Sequence, residues 1–161
     1  MKAVWLIALC ALLLTGCSKN FETMNDAYEP IEPVAAKIAE FSLPQDAALP
    51  VVSGADAKIY FCDGYEIFYQ TLDGGDLDRT LRELTGFGRK DLTVVQTSSG
   101  GTERYSCVWT SAGEAGDQVG KLVILDDGYY HYCLGVLASS QEAGSLQEVW
   151  TSLLGSFHLH A

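Results

Sequence analysis

Basic residues are scarce in this 161-residue sequence: 10 Lys+Arg stand against 21 Asp+Glu, a formal charge of −11. That shortage excludes a nucleic-acid partner, because binding phosphate needs a basic patch that displaces counterions, and it opposes charge-driven contact with anionic headgroups. No apolar run reaches the roughly 20 residues that a spanning helix requires. The absence of any Cys-x-x-Cys pair removes a thioredoxin-like redox centre and a zinc knuckle. A glycine-rich phosphate loop, a Gly-x-Ser-x-Gly nucleophile turn and a His-Glu-x-x-His helix are all missing, so no cofactor is expected. Asp73, Asp76 and Asp78 lack the register of a calcium loop and are explained by a turn and a helix cap.

What is present begins at the N-terminus. Lys2 precedes an uncharged apolar segment, Ala3 to Leu14, of the length found in secretory signals, whose apolar part spans roughly 7 to 15 residues. The segment closes on Leu14-Thr15-Gly16-Cys17, which resembles the lipobox of bacterial lipoproteins. The resemblance implies that residues 1–16 are a signal peptide and that Cys17 becomes the lipidated first residue of the mature chain. Residues 17–35 are polar, acidic and interrupted by Pro30 and Pro33, which reads as a tether. Two or more acyl chains anchor a protein durably, so the expected address is the extracytoplasmic face of the cell membrane, with the membrane contacted through lipid on Cys17.

Residues 36–161 read as one α+β domain. Strand patterns occur at Lys37–Leu43, Lys58–Cys62 and Tyr65–Leu72, with Asp63-Gly64 as a tight turn between the last two. Asp76 is placed to cap a helix over Leu77–Thr85, and Gly86 to end it. Thr93–Thr97, Arg104–Ser111, Val119–Asp126 and Tyr129–Ala138 read as a four-stranded meander, with Asp127-Gly128 as its last turn. That turn sets Leu125 opposite Tyr130 and Gly120 opposite Gly135. It predicts one face with Val119, Val123, Leu125, Tyr130, Tyr132, Leu134 and Val136, and another with Leu122, Ile124, His131 and Cys133. Neither face is polar enough for water, so both need a cover. Ser145-Leu146-Gln147-Glu148 has the form of a capping box before Val149, Trp150, Leu153, Leu154 and Phe157, which predicts a C-terminal helix as one cover and the Leu77 helix as the other.

This element order, with the ending "EVWTSLLGSFHL", resembles the PsbP-type fold, in which an antiparallel sheet of about six to seven strands is flanked by helices. Members of that group are mostly accessory or binding proteins, so the resemblance implies a non-catalytic binding module without naming a ligand. The lipobox, "GGDLDRTLRELTGFGRKDL" and "AGEAGDQVGKLVILDDGYYHYC" together also resemble uncharacterised lipoproteins of single-membrane bacteria, a resemblance that carries no activity with it.

After processing, Cys62, Cys107 and Cys133 remain. If a disulfide forms, it joins Cys62 to Cys107 or Cys133. The latter two lie two strands apart in the meander, about 9.6 Å, beyond the roughly 7 Å limit between Cα atoms. Cys107 or Cys133 with His131 forms the thiol and base of the alternative reading, a small surface enzyme of hydrolase or thiol-redox type. His158 and His160 could give two zinc ligands, but nothing nearby supplies the rest, and a frayed tail with no metal is the expectation. The glycine-rich stretch Ser111–Gly120 beside aromatics gives the candidate binding surface: Trp109, Glu114, Asp117, Tyr129, Tyr130 and Tyr132, facing a protein or small-molecule partner of unknown identity.

Overall fold

The computed structural model describes residues 33–54, 56–113 and 116–160. The signal, Cys17 and most of the tether lie outside these residues, as does Glu114. Among the described residues no helix is long and apolar enough to cross a membrane.

The strands and α-helices of the described residues follow in order: β1 (Ala39–Glu40), β2 (Val52–Ser53), β3 (Ala57–Phe61), β4 (Tyr65–Asp73), α1 (Leu77–Thr85), β5 (Val95–Ser99), β6 (Thr102–Gly113), β7 (Gly116–Asp126), β8 (Tyr130–Ser139), α2 (Gln147–Ser156) and β9 (His158–Leu159). Seven of the strands form one antiparallel sheet in the order β2-β3-β4-β8-β7-β6-β5. The meander β5 to β8 is consecutive, as expected, and β4 then pairs with β8. Strand β8 therefore becomes central, which explains its almost unbroken burial from His131 to Val136.

Side-chain alternation divides the sheet residues between two cores. One face carries Tyr60, Ile67, Val123, Leu125, Tyr132, Leu134 and Val136 against Trp150, Leu153 and Leu154 of α2. The other carries Tyr105, Cys107, Trp109, Leu122, Ile124 and Cys133 against Leu77 and Leu81 of α1. The expected α+β class, with helices covering both faces of an antiparallel sheet, is thus the observed one. Helix α1 starts where Asp76 accepts a hydrogen bond from the Arg79 amide at 3.1 Å and stops at Gly86, whose φ of +80° suits only glycine.

Four details differ from the sequence reading. The β7–β8 turn is Gly128-Tyr129, not Asp127-Gly128: Asp126 pairs with His131, and the Asp127 amide bonds the Tyr130 carbonyl at 3.3 Å. The Asp127 carboxylate draws the turn there by accepting the Tyr129 and Tyr130 amides at 3.0 and 2.9 Å. Each residue consequently faces a partner two places along, and because side chains alternate with period two, every face assignment survives. Gly120 faces Leu137 and Gly135 faces Leu122, so the two glycines are not opposed. Each instead lies under an aromatic ring from its other neighbour: Trp109 covers Gly120 and Phe68 covers Gly135, and a Cβ at either site would overlap the ring.

The capping box does not form. The chain reaches α2 through turns in which the Ser145 hydroxyl donates back to the Glu142 carbonyl at 2.8 Å, leaving Leu146 as an N-cap without a side-chain bond. Arg104 secures the other end of α2, donating to the carbonyls of Leu154 and Phe157 at 2.5 and 3.2 Å. Finally, the Lys37–Leu43 strand shortens to β1 and stays out of the main sheet. It pairs with β9 as a separate two-stranded ribbon, Ala39 opposite Leu159 and Glu40 opposite His158, so the C-terminal tail is ordered rather than frayed.

Candidate functional site

The predicted contact surface does not converge. The described residues of Ser111–Gly120 are strand rather than loop: β6 runs to Gly113 and β7 starts at Gly116, its cross-strand partner. Asp117 lies at that end of β7 and Tyr129 in the turn beyond the other, about 30 Å along the strand for the nine steps from Asp117 to Asp126. Trp109 is 7 % exposed, its ring committed to Gly120 on the α1 face, while Tyr132 is fully buried on the α2 face. Tyr130 is half-buried against the same core as Tyr132, and Tyr129 is the one aromatic of the group that stands out, at 61 % exposure; Asp117 is exposed as well, at the far end of the hairpin. Tyr132 serves the fold instead, since its hydroxyl accepts the Lys37 amide at 2.7 Å and donates to Asp127 at 3.2 Å.

Cys62, Cys107 and Cys133 are free thiols, and neither Cys62 bridge is formed. The obstacle is the sheet itself, since Cys62 packs on the α2 face and the other two on the α1 face. Cys107 pairs with Leu122 and Cys133 with Ile124, which keeps a whole strand between them, as the meander requires. Burial pushes the Cys107 thiol up to about 11 and raises that of Cys133 further still. A thiol held that high is protonated near neutrality and is a poor nucleophile.

His131 does not pair with a cysteine side chain. Its Nδ1 meets the Thr80 hydroxyl of α1 at 2.7 Å, and its Nε2 lies 3.5 Å from Asp126. Hydroxyl, imidazole and carboxylate in series suggest a hydrolytic triad, yet Thr80 and His131 are both buried in the sheet–helix contact. The Thr80–His131 hydrogen bond instead ties α1 to β8, while Nε2, close to Asp126, makes no hydrogen bond of its own among the described residues.

Two features escaped the sequence reading. Along the β2 edge of the sheet, Leu49 is 89 % and Val51 66 % exposed, with Val52 and Phe61 also open to solvent. The Ala48 amide bonds the Phe61 carbonyl at 3.0 Å and the Val51 amide the Ile59 carbonyl at 2.8 Å, so the segment that carries these residues runs alongside β3 at one border of the sheet. No other strand among the described residues pairs with the outer side of β2.

The second feature is built by the β1–β9 ribbon. Glu40, His158 and His160, all exposed, bring one donor atom each to within 4.8 Å of one another. The His160 ring lies 2.7 Å from Glu40 and holds its carboxyl below the ordinary range. His158 Nε2 is 3.9 Å from the same oxygen. Glu40 and His158 also border a cavity of about 390 Å³ together with Phe41, Lys58 and Tyr60. The nearest sequence signal was His158-x-His160; the carboxylate that completes the cluster comes from the far end of the domain.

By fold the described residues form an α+β domain, a seven-stranded antiparallel sheet with one helix on each face and a separate two-stranded ribbon. Its backbone is similar to that of LpqN, involved in cell envelope biogenesis of Mycobacterium tuberculosis, with a TM-score of 0.53 at 11 % identity over 78 % of this chain and 85 % of LpqN. It is also similar to a Bacteroides thetaiotaomicron VPI-5482 protein, with a TM-score of 0.52 at 11 % identity over 76 % of this chain and 45 % of that one, so it spans under half of that protein. The Saccharomyces cerevisiae Ran-binding protein Mog1p aligns with a TM-score of 0.49 at 10 % identity, over 77 % and 96 % of the two chains. No protein-family model and no curated protein sequence matches the chain.

Proposed function

We propose that this chain is a lipoprotein held at the extracytoplasmic face of the cell membrane by lipid on Cys17, and that its domain is a non-catalytic binding or accessory module. The observation that carries the binding role is the row Leu49, Val51, Val52 and Phe61 along the border of the sheet. A chain this acidic has no shortage of polar residues to place there, and open apolar chains beside an unpaired strand suit a protein segment that adds to the edge. The lipobox supports the address, and so does the fold shared with LpqN.

Photo-crosslinkers placed at Leu49 and Val51 in living cells should trap one envelope protein, and the double variant Leu49→Asp/Val51→Asp should lose it while keeping its circular dichroism spectrum. Cys17→Ser should release the protein from membranes. Turnover of a peptide, ester or disulfide substrate that vanishes on Cys107→Ala or His131→Ala without unfolding would overturn the reading in favour of the thiol enzyme.

A further inference from the structure

We propose that Glu40, His158 and His160 bind a single zinc ion, with water completing its tetrahedron. Two imidazoles and one carboxylate are a zinc donor set, and three protein ligands with an open position are how such sites are built when they are not fully enclosed. Zinc bonds of about 2.0–2.2 Å to nitrogen and oxygen place tetrahedral donors about 3.3 Å apart. The observed separations from the Glu40 oxygen, 2.7 Å to His160 and 3.9 Å to His158, fall either side of that value. Small side-chain rotations bring both to it, and exposure leaves these side chains room to make them.

The hydrogen bonding of His158 supports the same assignment independently. His158 Nδ1 lies 2.8 Å from the Ser156 carbonyl. A carbonyl can only accept, so Nδ1 carries the proton, and Nε2 of the neutral ring presents its lone pair on the side of Glu40. A backbone carbonyl on the second ring nitrogen is the usual support of a metal-bound histidine. His160 donates its Nε2 proton to Glu40 while no ion is present. On zinc binding that proton transfers, through solvent, to Nδ1 of the same ring, and Nε2 is freed for the metal without net proton release from a neutral imidazole. The backbone is already in place: Glu40 and His158 are a cross-strand pair, and the His160 amide bonds the Ile38 carbonyl at 2.9 Å. A formal charge of −11 over the chain favours a cation further.

A zinc titration of the chelator-stripped full chain by calorimetry, with X-ray absorption on the loaded protein, tests the site. We expect one zinc per chain and a shell of two imidazoles with oxygen and no sulfur. Glu40→Gln, His158→Ala and His160→Ala should each weaken binding more than about tenfold, and Cys62→Ser should leave it unchanged. Failure of the wild-type chain to take up one equivalent, unaltered uptake by the His158→Ala/His160→Ala double variant, or sulfur in the metal shell would each overturn the proposal.

Discussion

His131 shows what one buried polar residue does for this fold. It has no exposed surface, yet it contacts α1 through Thr80 and the end of β7 through Asp126. Leaving a buried nitrogen without its partner costs about 1–3 kcal/mol. Thr80→Val, which keeps the shape and removes the hydroxyl, should lower stability by about that amount, read from the urea midpoint. His131→Phe removes the imidazole and its need for partners, so combining it with Thr80→Val should cost less than the sum of the two single changes. Additive losses in that double-mutant cycle would show that the contact carries no coupling. The sequence put His131 on the correct face, but its partner lies on a separate helix and could not be read from the strand pattern.

At the scale of elements, the two ring-covered glycines act as packing sockets across neighbouring strands. Gly120→Ala and Gly135→Ala should each destabilise the domain by about 1–3 kcal/mol through overpacking, measured by thermal or urea unfolding. Trp109→Ala together with Gly120→Ala should recover part of the glycine penalty. Local chemistry made much of this architecture legible: Asp76 and Gly86 bracket α1, Asp63-Gly64 turns β3 into β4, and alternation sorts both faces of β7 and β8. What was not legible depended on distant or competing groups. The Ser145 hydroxyl had two acceptable partners and chose the Glu142 carbonyl. The Asp127 carboxylate moved its own turn by one residue. The Glu40–His158 meeting needs two-residue strands from opposite ends of the domain, too short to leave a pattern. Leu49 and Val51 lie in a stretch with Pro50 and Gly54 that carries neither strand alternation nor helical spacing.

Across the folded domain, the segment leading into β1 is fastened beside the β7–β8 turn by one small polar cluster. The Lys37 amide reaches the Tyr132 hydroxyl, and its ammonium lies 3.6 Å from Asp127. Burial alone would raise the Asp127 carboxyl, but the Tyr130 and Tyr129 amides, the Tyr132 hydroxyl and Lys37 outweigh it and hold the group below its ordinary range. A carboxyl depressed in the folded state contributes stability that is complete above its unfolded pKa, about 3.9, and is lost as pH falls through the lower folded value. Asp127→Asn should therefore have a lower urea midpoint than wild type from pH 5 to 7. The two should approach each other as pH falls below about 4. A constant gap across that range would mean that the charge is not involved.

The three thiols lie at three depths: Cys62 is half covered at the β3–β4 turn, Cys107 is under the α1 face, and Cys133 is sealed in the central strand. A permeant alkylating reagent reaches each only when the structure above it parts. Cys62 therefore marks fraying of one hairpin, Cys107 the lifting of a helix, and Cys133 the opening of the whole sheet. The order and speed of their modification, followed by mass spectrometry, make a native set of clocks for how this molecule comes apart.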